Sequence, residues 1–593
     1  MDLPPTISAD VVVVGATPGG IMASIAAARE GCTVLLLERT SHIGGLPANG
    51  LGATDISTRQ ATRGLFGMFI SRIREHYSVT YGPESPQAKL CADGYRFEPS
   101  VAEKVLEGML AEQPAITVRR NRQFDALPER VERDGQRVLA ITVSDRHTGK
   151  LERCVGMAFI DASYEGDLAA ASGACFRTRR EGPEEYGEFG AGIYYCRWGE
   201  QKKDHLNTIH LGGDHRIQAY NFRLCLTDVD ENRIPIPKPR SYDRNEYLSL
   251  AEDLRLDRAT GAHSDELEWN GIGRVVNMIP TPNGKTDSNN QHLAFISTDL
   301  PEENQPWPTA SWAWRDAFAQ RLRDYTLGLL WFIQNDEAVP ESYRINALRW
   351  GLAKDEFSDN GNFPRQVYVR EGRRIEGEYL FTAKDALPVR EGGRPPVHSD
   401  SITASHYPID SHACRKREPG RPHLDGFLSL PTRSYTVPYR VILPRDCENV
   451  WVPVAVSATH LGFGTLRMEP CWMALGEAAG EAAALSVAYG VPARSVPLEL
   501  LQKRLLDHGA QLIHIRDVPP EHPCWRIVQL IALRGGLPEW GAQPHAPLAD
   551  GQGEHWALLL GADPELVAEA DTRGEAMLRL AEHLESSHSD HQK

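Results

Sequence analysis

The stretch ADVVVVGATPGGIMASIAAAREGCTVLLLERT, residues 9–40, restricts the fold of this chain more than any other. Its apolar run over residues 11–28 fits a membrane span, a signal peptide, or a buried strand followed by a helix. Gly15, Pro18, Gly19 and Gly20 break the run and no Lys or Arg precedes it, which argues against the first two. The four valines at 11–14 suit a strand buried on both faces, and the small residues of 21–29 suit a helix. A second strand follows at 33–37, and Glu38 ends it.

Strand, glycine turn, helix and strand make a βαβ unit. Gly15, Thr17 and Gly20 stand at the three glycine positions of the GxGxxG dinucleotide fingerprint. Gly15 permits the tight turn, Gly19 and Gly20 permit close packing of helix on strand, and the helix N-terminus offers unpaired N–H groups to a pyrophosphate. Thr17 has to leave room for phosphates where glycine is usual. Glu38, 23 residues after Gly15, is spaced to accept hydrogen bonds from an adenosine ribose and to repel a 2′-phosphate.

The 593 residues suffice for two or three domains. With 64 basic and 80 acidic groups the net charge is −16, which disfavours nucleic acid and anionic membrane as partners. The ten cysteines include no CxxC pair, so neither an iron–sulfur cluster nor a zinc ribbon is expected, and most should be buried thiols. No long uninterrupted apolar segment and no targeting signal is present, so the expected compartment is the cytoplasm. No internal repeat is found, and the polar end, 586–593, reads as disordered.

Short strands are expected within 116–163, in AITVRR, RVLAITVSD and CVGMAFIDAS, joined by turns at Asp134-Gly135 and Thr148-Gly149-Lys150. They form an antiparallel meander that interrupts the parallel sheet, and Asp161 and Ala162 close the last of them where the chain returns to the nucleotide. Residues 174–435 are richer in Trp, Pro and charge, lack βα alternation, and read as a substrate-covering insertion. The first domain resumes over 436–490. There NVWVPVAVSATH (449–460) reads as a strand, and EPCWMALGEAAGEAAALSVAYG (469–490) as a helix that Pro470 starts and Gly490 stops. Ala474, Ala478, Gly480, Ala482 and Ala483 make that helix thin enough to approach a sheet or a flat ring. The expected class is α/β: a Rossmann-type domain from 1–173 and 436–490 with the meander, an inserted α+β domain at 174–435, and a mostly helical extension at 491–593.

The segments SHIGGLPANGLGATD, YRFEPSVAE, FIDASYEGDLAA, IQAYNFRLCLT, GKTDSNN, RWGLAKDEF, PRQVYVREGRRIEGEY, YPIDSH and GFGTLRMEP occur in this order. Through them the chain, over about residues 10–510, resembles the FAD-dependent oxidoreductases of bacteria and fungi, some of which are labelled xanthan-lyase-associated. The resemblance implies a glutathione-reductase-like flavin domain with FAD held extended. Its adenosine and pyrophosphate would lie at Gly15, Ala16, Thr17, Pro18, Gly19, Gly20, Glu38 and Arg39, with Asp161 and Ala162 alongside. Its isoalloxazine would lie near Gly44, Gly45, Leu46, Gly464, Thr465, Arg467 and Pro470. Many flavoproteins hold the ribityl chain with a Gly-Asp pair that VPVAVSATH lacks, so that contact is not carried over.

Hydride transfer to a flavin leaves negative charge on the ring, which a helix N-terminus and Arg467 would stabilise. The substrate also needs a base. His460, just after the returning strand and seven residues before Arg467, is the first candidate. His406 and His412 in SHYPIDSH are second, with Asp410 able to orient an imidazole, against their reading as an ordinary turn. His42, beside Gly44-Gly45, reads as a polar contact, with covalent attachment to the flavin as the rival. In YVREGRRIEGEY, Arg370, Arg373 and Arg374 read as a solvated helix face from which one arginine could anchor an acidic substrate. KTDSNNQH, residues 285–292, could line a polar pocket, but Asp287, Asn289 and Asn290 lack the spacing of a calcium loop and no metal is expected. Trp307, Trp312, Trp314 and Trp331 read as core.

The resulting expectation is an FAD enzyme that removes hydride from a small, polar, hydroxylated substrate and passes the electrons to an unidentified acceptor. With one dinucleotide fingerprint, no built-in nicotinamide site is expected. An NAD(P)H-driven monooxygenase or reductase is the alternative among enzymes, and a flavin-binding electron-transfer subunit the alternative outside them. The sequence carries no signature of an oligomeric state.

Overall fold

The computed structural model describes residues 4–196, 210–255, 271–291, 294, 296–418 and 424–589. Its centre is a five-stranded parallel sheet of β1 (Val11–Val14), β2 (Val34–Leu37), β3 (Ile116–Arg119), β4 (Ala158–Asp161) and β5 (Val450–Trp451), in the order β5-β4-β1-β2-β3. Every residue of β1, β2 and β4 is buried, which matches their unbroken apolar runs. The strand order reverses at β1, so a crevice opens at the carboxyl ends of β1 and β4, beside Gly15 and Ala162. Helix α1 (Pro18–Arg29) leaves that crevice, with Pro18 in its first turn and Thr17 as its N-cap.

A meander is present as Val131–Asp134, Arg137–Asp145 and Leu151–Val155, with Thr6–Ser8 added parallel to its edge, but AITVRR, expected to belong to it, is β3 of the parallel sheet, paired with β2. A second expected strand also needs correction. The stretch read as a single meander strand near residues 154–163 divides at Gly156, and the half beyond it is β4 of the parallel sheet. The chain can change sheets there because a Cβ on Gly156 would lie 2.9 Å from Val12 Cγ2, a contact only glycine avoids.

Between β4 and β5 a second five-stranded sheet forms in the order Arg233–Ile234, Gly351–Ala353, Leu224–Thr227, Lys285–Asn290, Val276–Thr281, antiparallel throughout. It is accompanied by the long helix α2 (Trp312–Asn335). Two further expectations fail here. Residues 370–374 are not a solvated helix face: Arg370, Glu371, Arg373 and Arg374 are all buried, and only Arg374–Ile375 forms a short strand. Their charges are met by acids and a histidine from other segments, a circumstance that composition does not reveal. The strand expected over 449–460 is only β5, because the backbone beyond Trp451 bonds instead to loops, from Val452 to Ile442 and from Ser457 to Val441, before α3 (His460–Leu466) begins.

Helix α4 (Glu469–Tyr489) follows with Pro470 in its first turn and Gly490 in the left-handed region at its end, as its sequence predicts. Its thinness is put to use against α1. A Cβ on Gly476 would lie 2.0 Å from the Gly19 carbonyl oxygen, and one on Gly480 2.2 Å from that of Ala23. The extension supplies Leu498–Asp507, Trp525–Leu533 and Arg573–Ser589. The last helix runs through residues 586–589, where disorder is expected; residues 590–593 lie outside the described residues. Among the described cysteines none is in a disulfide, and Cys175 alone is exposed. No described helix is long and apolar enough to cross a membrane.

Alanine favours a helix interior over glycine by roughly 1 kcal/mol, yet Gly480→Ala should destabilise the protein, by about 1–3 kcal/mol of overpacking. The expected outcome is a lower thermal midpoint in FAD-loaded protein, checked by calorimetry. A midpoint equal to or above that of the parent would mean that α1 and α4 can separate freely.

Candidate active site

The turn between β1 and α1 is built by a few reciprocal bonds. Gly15 has φ 97°, and a Cβ on it would lie 2.9 Å from the Ala162 carbonyl oxygen, so β4 presses directly on the turn. The Thr17 hydroxyl donates to the Ala162 carbonyl at 2.8 Å and accepts from Gly20 N–H at 3.2 Å. That geometry answers how a threonine replaces the middle glycine: its side chain turns into the protein. Among the described residues the backbone N–H groups of Thr17 and Gly19 have no partner, which is what an anion at a helix N-terminus requires. Glu38 braces the turn from the other side. Its carboxylate accepts from Ala16 N–H at 3.1 Å and from Thr40 N–H and Oγ1 at 2.8 and 2.9 Å, and burial raises its proton affinity against those bonds.

Over this turn lies a cleft of about 130 Å³ bordered by Gly15, Thr17, Glu38, Arg39, Gly45 and, from the inserted region, Trp312. Arg39 stacks on the Trp312 ring at 4.0 Å and bonds Asp316 at 2.6 Å. Trp307 also lines the cleft, so two tryptophans read as core are wall residues. Glu165 and Asp167 line it as well. Burial pushes Glu165 up to about 7, whereas Arg315 and Arg373 overcome burial at Asp167 and hold it low. Asp161 and Ala162 lie beneath the turn: Asp161 accepts from Ser163 and Ala169, and burial raises it to about 6. His42 has both ring nitrogens engaged, by Glu103 at 2.7 Å and Asp359 at 3.0 Å, in keeping with a polar contact.

At the Gly45 end of the cleft, Gly44 N–H bonds the Ala16 carbonyl and Leu46 N–H donates to the Tyr164 hydroxyl at 3.1 Å. That hydroxyl donates in turn to Glu469, the first residue of α4, next to Pro470. Gly464, Thr465, Arg467 and Pro470 do not border the cleft. Thr465 bonds the Tyr407 carbonyl, and Gly464 presses on the Asp410 backbone. Arg467, 1% exposed, sits one layer back: it donates to the Tyr368 hydroxyl at 2.9 Å, and Val367 and Val369 on either side of Tyr368 border the cleft. The guanidinium groups of Arg223, Arg370 and Arg467 lie 5.6, 4.7 and 5.9 Å from the Tyr368 ring centre.

A hydrogen-bonded series continues from there. Arg467 bonds Asp410 at 2.6 Å, Asp410 meets His412 Nε2 at 3.2 Å, and His412 Nδ1 meets Asp299 at 2.9 Å. Asp299 also pairs with Arg370 at 2.8 Å and borders a second cavity, of about 260 Å³, with Asn290, Tyr325 and Phe427. Burial is overcome at both carboxylates, by Arg370 and His412 at Asp299 and by His412 and Arg467 at Asp410, and both are held below the usual range. YPIDSH is therefore not an ordinary turn, since Ile409–Ser411 is a strand paired with Leu428–Leu430. His460 lies elsewhere, on α3, with Glu371 on Nδ1 at 2.9 Å and Ser411 on Nε2 at 2.9 Å, and borders neither cavity. His406 bonds Thr58 at 2.7 Å.

Asp55 escapes sequence reasoning altogether. Its neighbours Arg223 and Asp287 are buried, while its own side chain is 18% exposed, 3.9 Å from Arg223. Burial raises its proton affinity against Arg223. A lone aspartate after a glycine-rich run carries no local signal of that setting.

A glycine turn, free N–H groups, an acid at the end of β2 and a cleft along them fit an FAD adenosine diphosphate. The model of the family described as FAD dependent oxidoreductase matches residues 10–505. Digeranylgeranylglycerophospholipid reductase 2 of Methanopyrus kandleri is 38% identical over 104 residues, covering 16% of this chain and 24% of that protein. The chain thus spans about a quarter of that relative. Two solved structures are similar over part of their length: the FAD complex of glycerol-3-phosphate dehydrogenase from Bacillus halodurans, at 10% identity, 35% and 47% coverage and TM-score 0.21, and 3-ketosteroid-delta4-(5alpha)-dehydrogenase from Rhodococcus jostii RHA1, at 18%, 29% and 52%, and 0.18.

Because Glu38 both braces the turn and faces the cleft, Glu38→Ala should weaken FAD binding by the roughly 1.5–3 kcal/mol of charge-assisted bonds, about 10- to 100-fold. Flavin fluorescence on dilution measures it. FAD retention equal to the parent would remove Glu38 from the cofactor site.

Proposed function

The chain belongs to the FAD dependent oxidoreductase family, and from that membership we propose that it is a dehydrogenase or oxidase acting on a small, polar, hydroxylated molecule. In this reading residues 1–173 and 436–490 form a glutathione-reductase-like FAD domain, and the inserted residues 174–435 cover the substrate. Bound FAD supplies the acceptor for two electrons. Thr17 and Gly19 N–H groups hold its phosphates, Glu38 its ribose, and Trp312 with Arg39 walls the cleft.

The observation that carries the reading is the series Asp299–His412–Asp410–Arg467–Tyr368, which runs from the 260 Å³ cavity to the wall of the cofactor cleft. Oxidising a carbinol to a carbonyl removes a hydride from carbon and a proton from oxygen. A hydroxyl bound against Asp299 would hand its proton to the Asp299–His412–Asp410 series. Arg467 keeps a positive charge beside the cleft, where reduction adds negative charge, and its buried Nε has no partner of its own. His460 borders neither cavity and serves structure in this reading, and the base is His412, which Asp299 links to the 260 Å³ cavity.

Anaerobic mixing with sugars, alcohols, amines and amino acids should find a compound that bleaches the flavin, while NADH and NADPH reduce it slowly. With that compound, His412→Gln should slow reduction by about 10²–10⁴-fold and flatten its pH profile, Arg467→Ala should slow it at every pH, and His460→Gln should stay near the parent rate. Loss confined to His460→Gln would return the base to His460, and rapid bleaching by NADPH would favour a monooxygenase.

A further inference from the structure

Glu469 has no part in the reading above, and its surroundings are unusual for a carboxyl group. It is 3% exposed, and no arginine, lysine or histidine pairs with it among the described residues. One oxygen, Oε1, receives the Tyr164 hydroxyl, while Oε2 is buried and has no partner. One turn further along α4 the indole Nε1 of Trp472 is likewise buried without a partner. The two atoms sit at positions i and i+3, on one face of the helix. That face lies against Tyr164, which lines the Gly45 end of the cofactor cleft. The Tyr164 hydroxyl would lie 2.4 Å from a Cβ on Gly45, the Trp472 ring is 5.5 Å from that of Tyr164, and a Cβ on Gly19 would lie 3.1 Å from the Trp472 carbonyl.

A buried polar atom without a partner costs roughly 1–3 kcal/mol, and two of them on one face, directly behind the Tyr164 wall of a ligand cleft, point to a ligand that satisfies them. We propose that the Glu469 carboxyl, fixed through Oε1 by Tyr164, is a hydrogen-bond donor from Oε2 to the isoalloxazine of bound FAD and thereby helps set the reduction potential of this flavoprotein. The proposal rests on FAD binding and is independent of which substrate is oxidised.

Donation requires the carboxyl to keep its proton. Burial pushes Glu469 up to about 8, with Tyr164 opposing and the Asp55 charge adding to the rise. The titratable groups facing it are Tyr164, which burial holds neutral, and Asp55; Glu165, at about 7, acts from the cleft through Tyr164. Below about pH 8 the neutral acid favours the reduced, more negative flavin. Above it, the carboxylate opposes reduction, so reduction takes up one further proton there.

The test is a redox titration of the FAD-loaded protein with dithionite and reference dyes from pH 6 to 10, which needs no substrate. The parent should show a potential that falls more steeply just above pH 8, by an extra tenfold in the two-electron equilibrium per pH unit, about 30 mV. Glu469→Gln keeps a donor but cannot ionise, so the steepening should vanish. Glu469→Leu should lower the potential at pH 7 by at least tenfold in the same equilibrium. Tyr164→Phe removes a bond that favours the carboxylate and should move the steepening to higher pH. Glu165→Gln should leave it in place. If the parent shows no steepening, or Glu469→Gln retains it, the carboxyl does not act on the flavin and the proposal is overturned. Failure of the protein to bind FAD at all would instead overturn the cofactor assignment.

Discussion

Two helix backbones in direct contact hold this site together. Gly476 and Gly480 on α4 let it lie against the carbonyl groups of Gly19 and Ala23 on α1, closer than any side chain would allow. Because α1 begins at the glycine turn, the contact brings the start of α4 to the same place, although more than 400 residues of chain separate them. Glu469 and Trp472 are thereby set against Tyr164, which follows β4 and lines the Gly45 end of the cleft. Dispersion and exclusion of water act over the whole length of such an interface, so its rigidity is inherited by the groups at its end.

Around that contact the protein buries charge on a large scale. Arg180, Arg274, Arg315, Arg370, Arg374 and Arg467 are among its largest fully buried side chains. Taking an ion out of water is costly, and removing one partner of a buried pair typically costs about 3–5 kcal/mol. Most pairs here join distant segments: Arg315 and Arg373 converge on Asp167, Arg370 on Asp299 and Arg374 on Glu181, while Arg374 also meets Glu371 three residues before it. The two pairs on Asp167 tie the inserted region to the nucleotide-binding part, and the others join segments within the inserted region. A misregistered insertion would leave several charges unpaired at once, so the ion pairs select one docking geometry.

The same arrangement gives neighbouring carboxylates opposite character. Asp410 and Asp299, each flanked by an arginine and His412, are held as strong acids. Glu469 and Glu165, on the cofactor side, are pushed toward neutrality by burial. Paired cations keep the acids of the Asp299–His412–Asp410 series charged, whereas at Glu469 and Glu165 burial outweighs every nearby cation.

What the sequence by itself determined is local in origin. Four valines, a glycine turn and a run of small residues specify β1 and α1, because strand burial and helix packing read out over a few residues. Pro470 and Gly490 bound α4 for the same reason, and the glycines at turn and helix announce a close approach without naming its partner. The family resemblance extended this to a cofactor, but not to the residues that act on it. Only the tertiary structure decided that 370–374 is buried, that His412 lies between two carboxylates while His460 is bonded to Glu371 and Ser411, and that Trp312 walls the cleft. The partners that set these roles lie tens to hundreds of residues away. Glu371 is 89 residues from His460 and Asp299 is 113 from His412, while Glu469 is 305 from Tyr164. Whether a charged side chain is solvated or buried, and whether a carboxyl keeps its proton, depends on which distant group the fold sets within about 3 Å of it, and no periodicity along the chain encodes that distance.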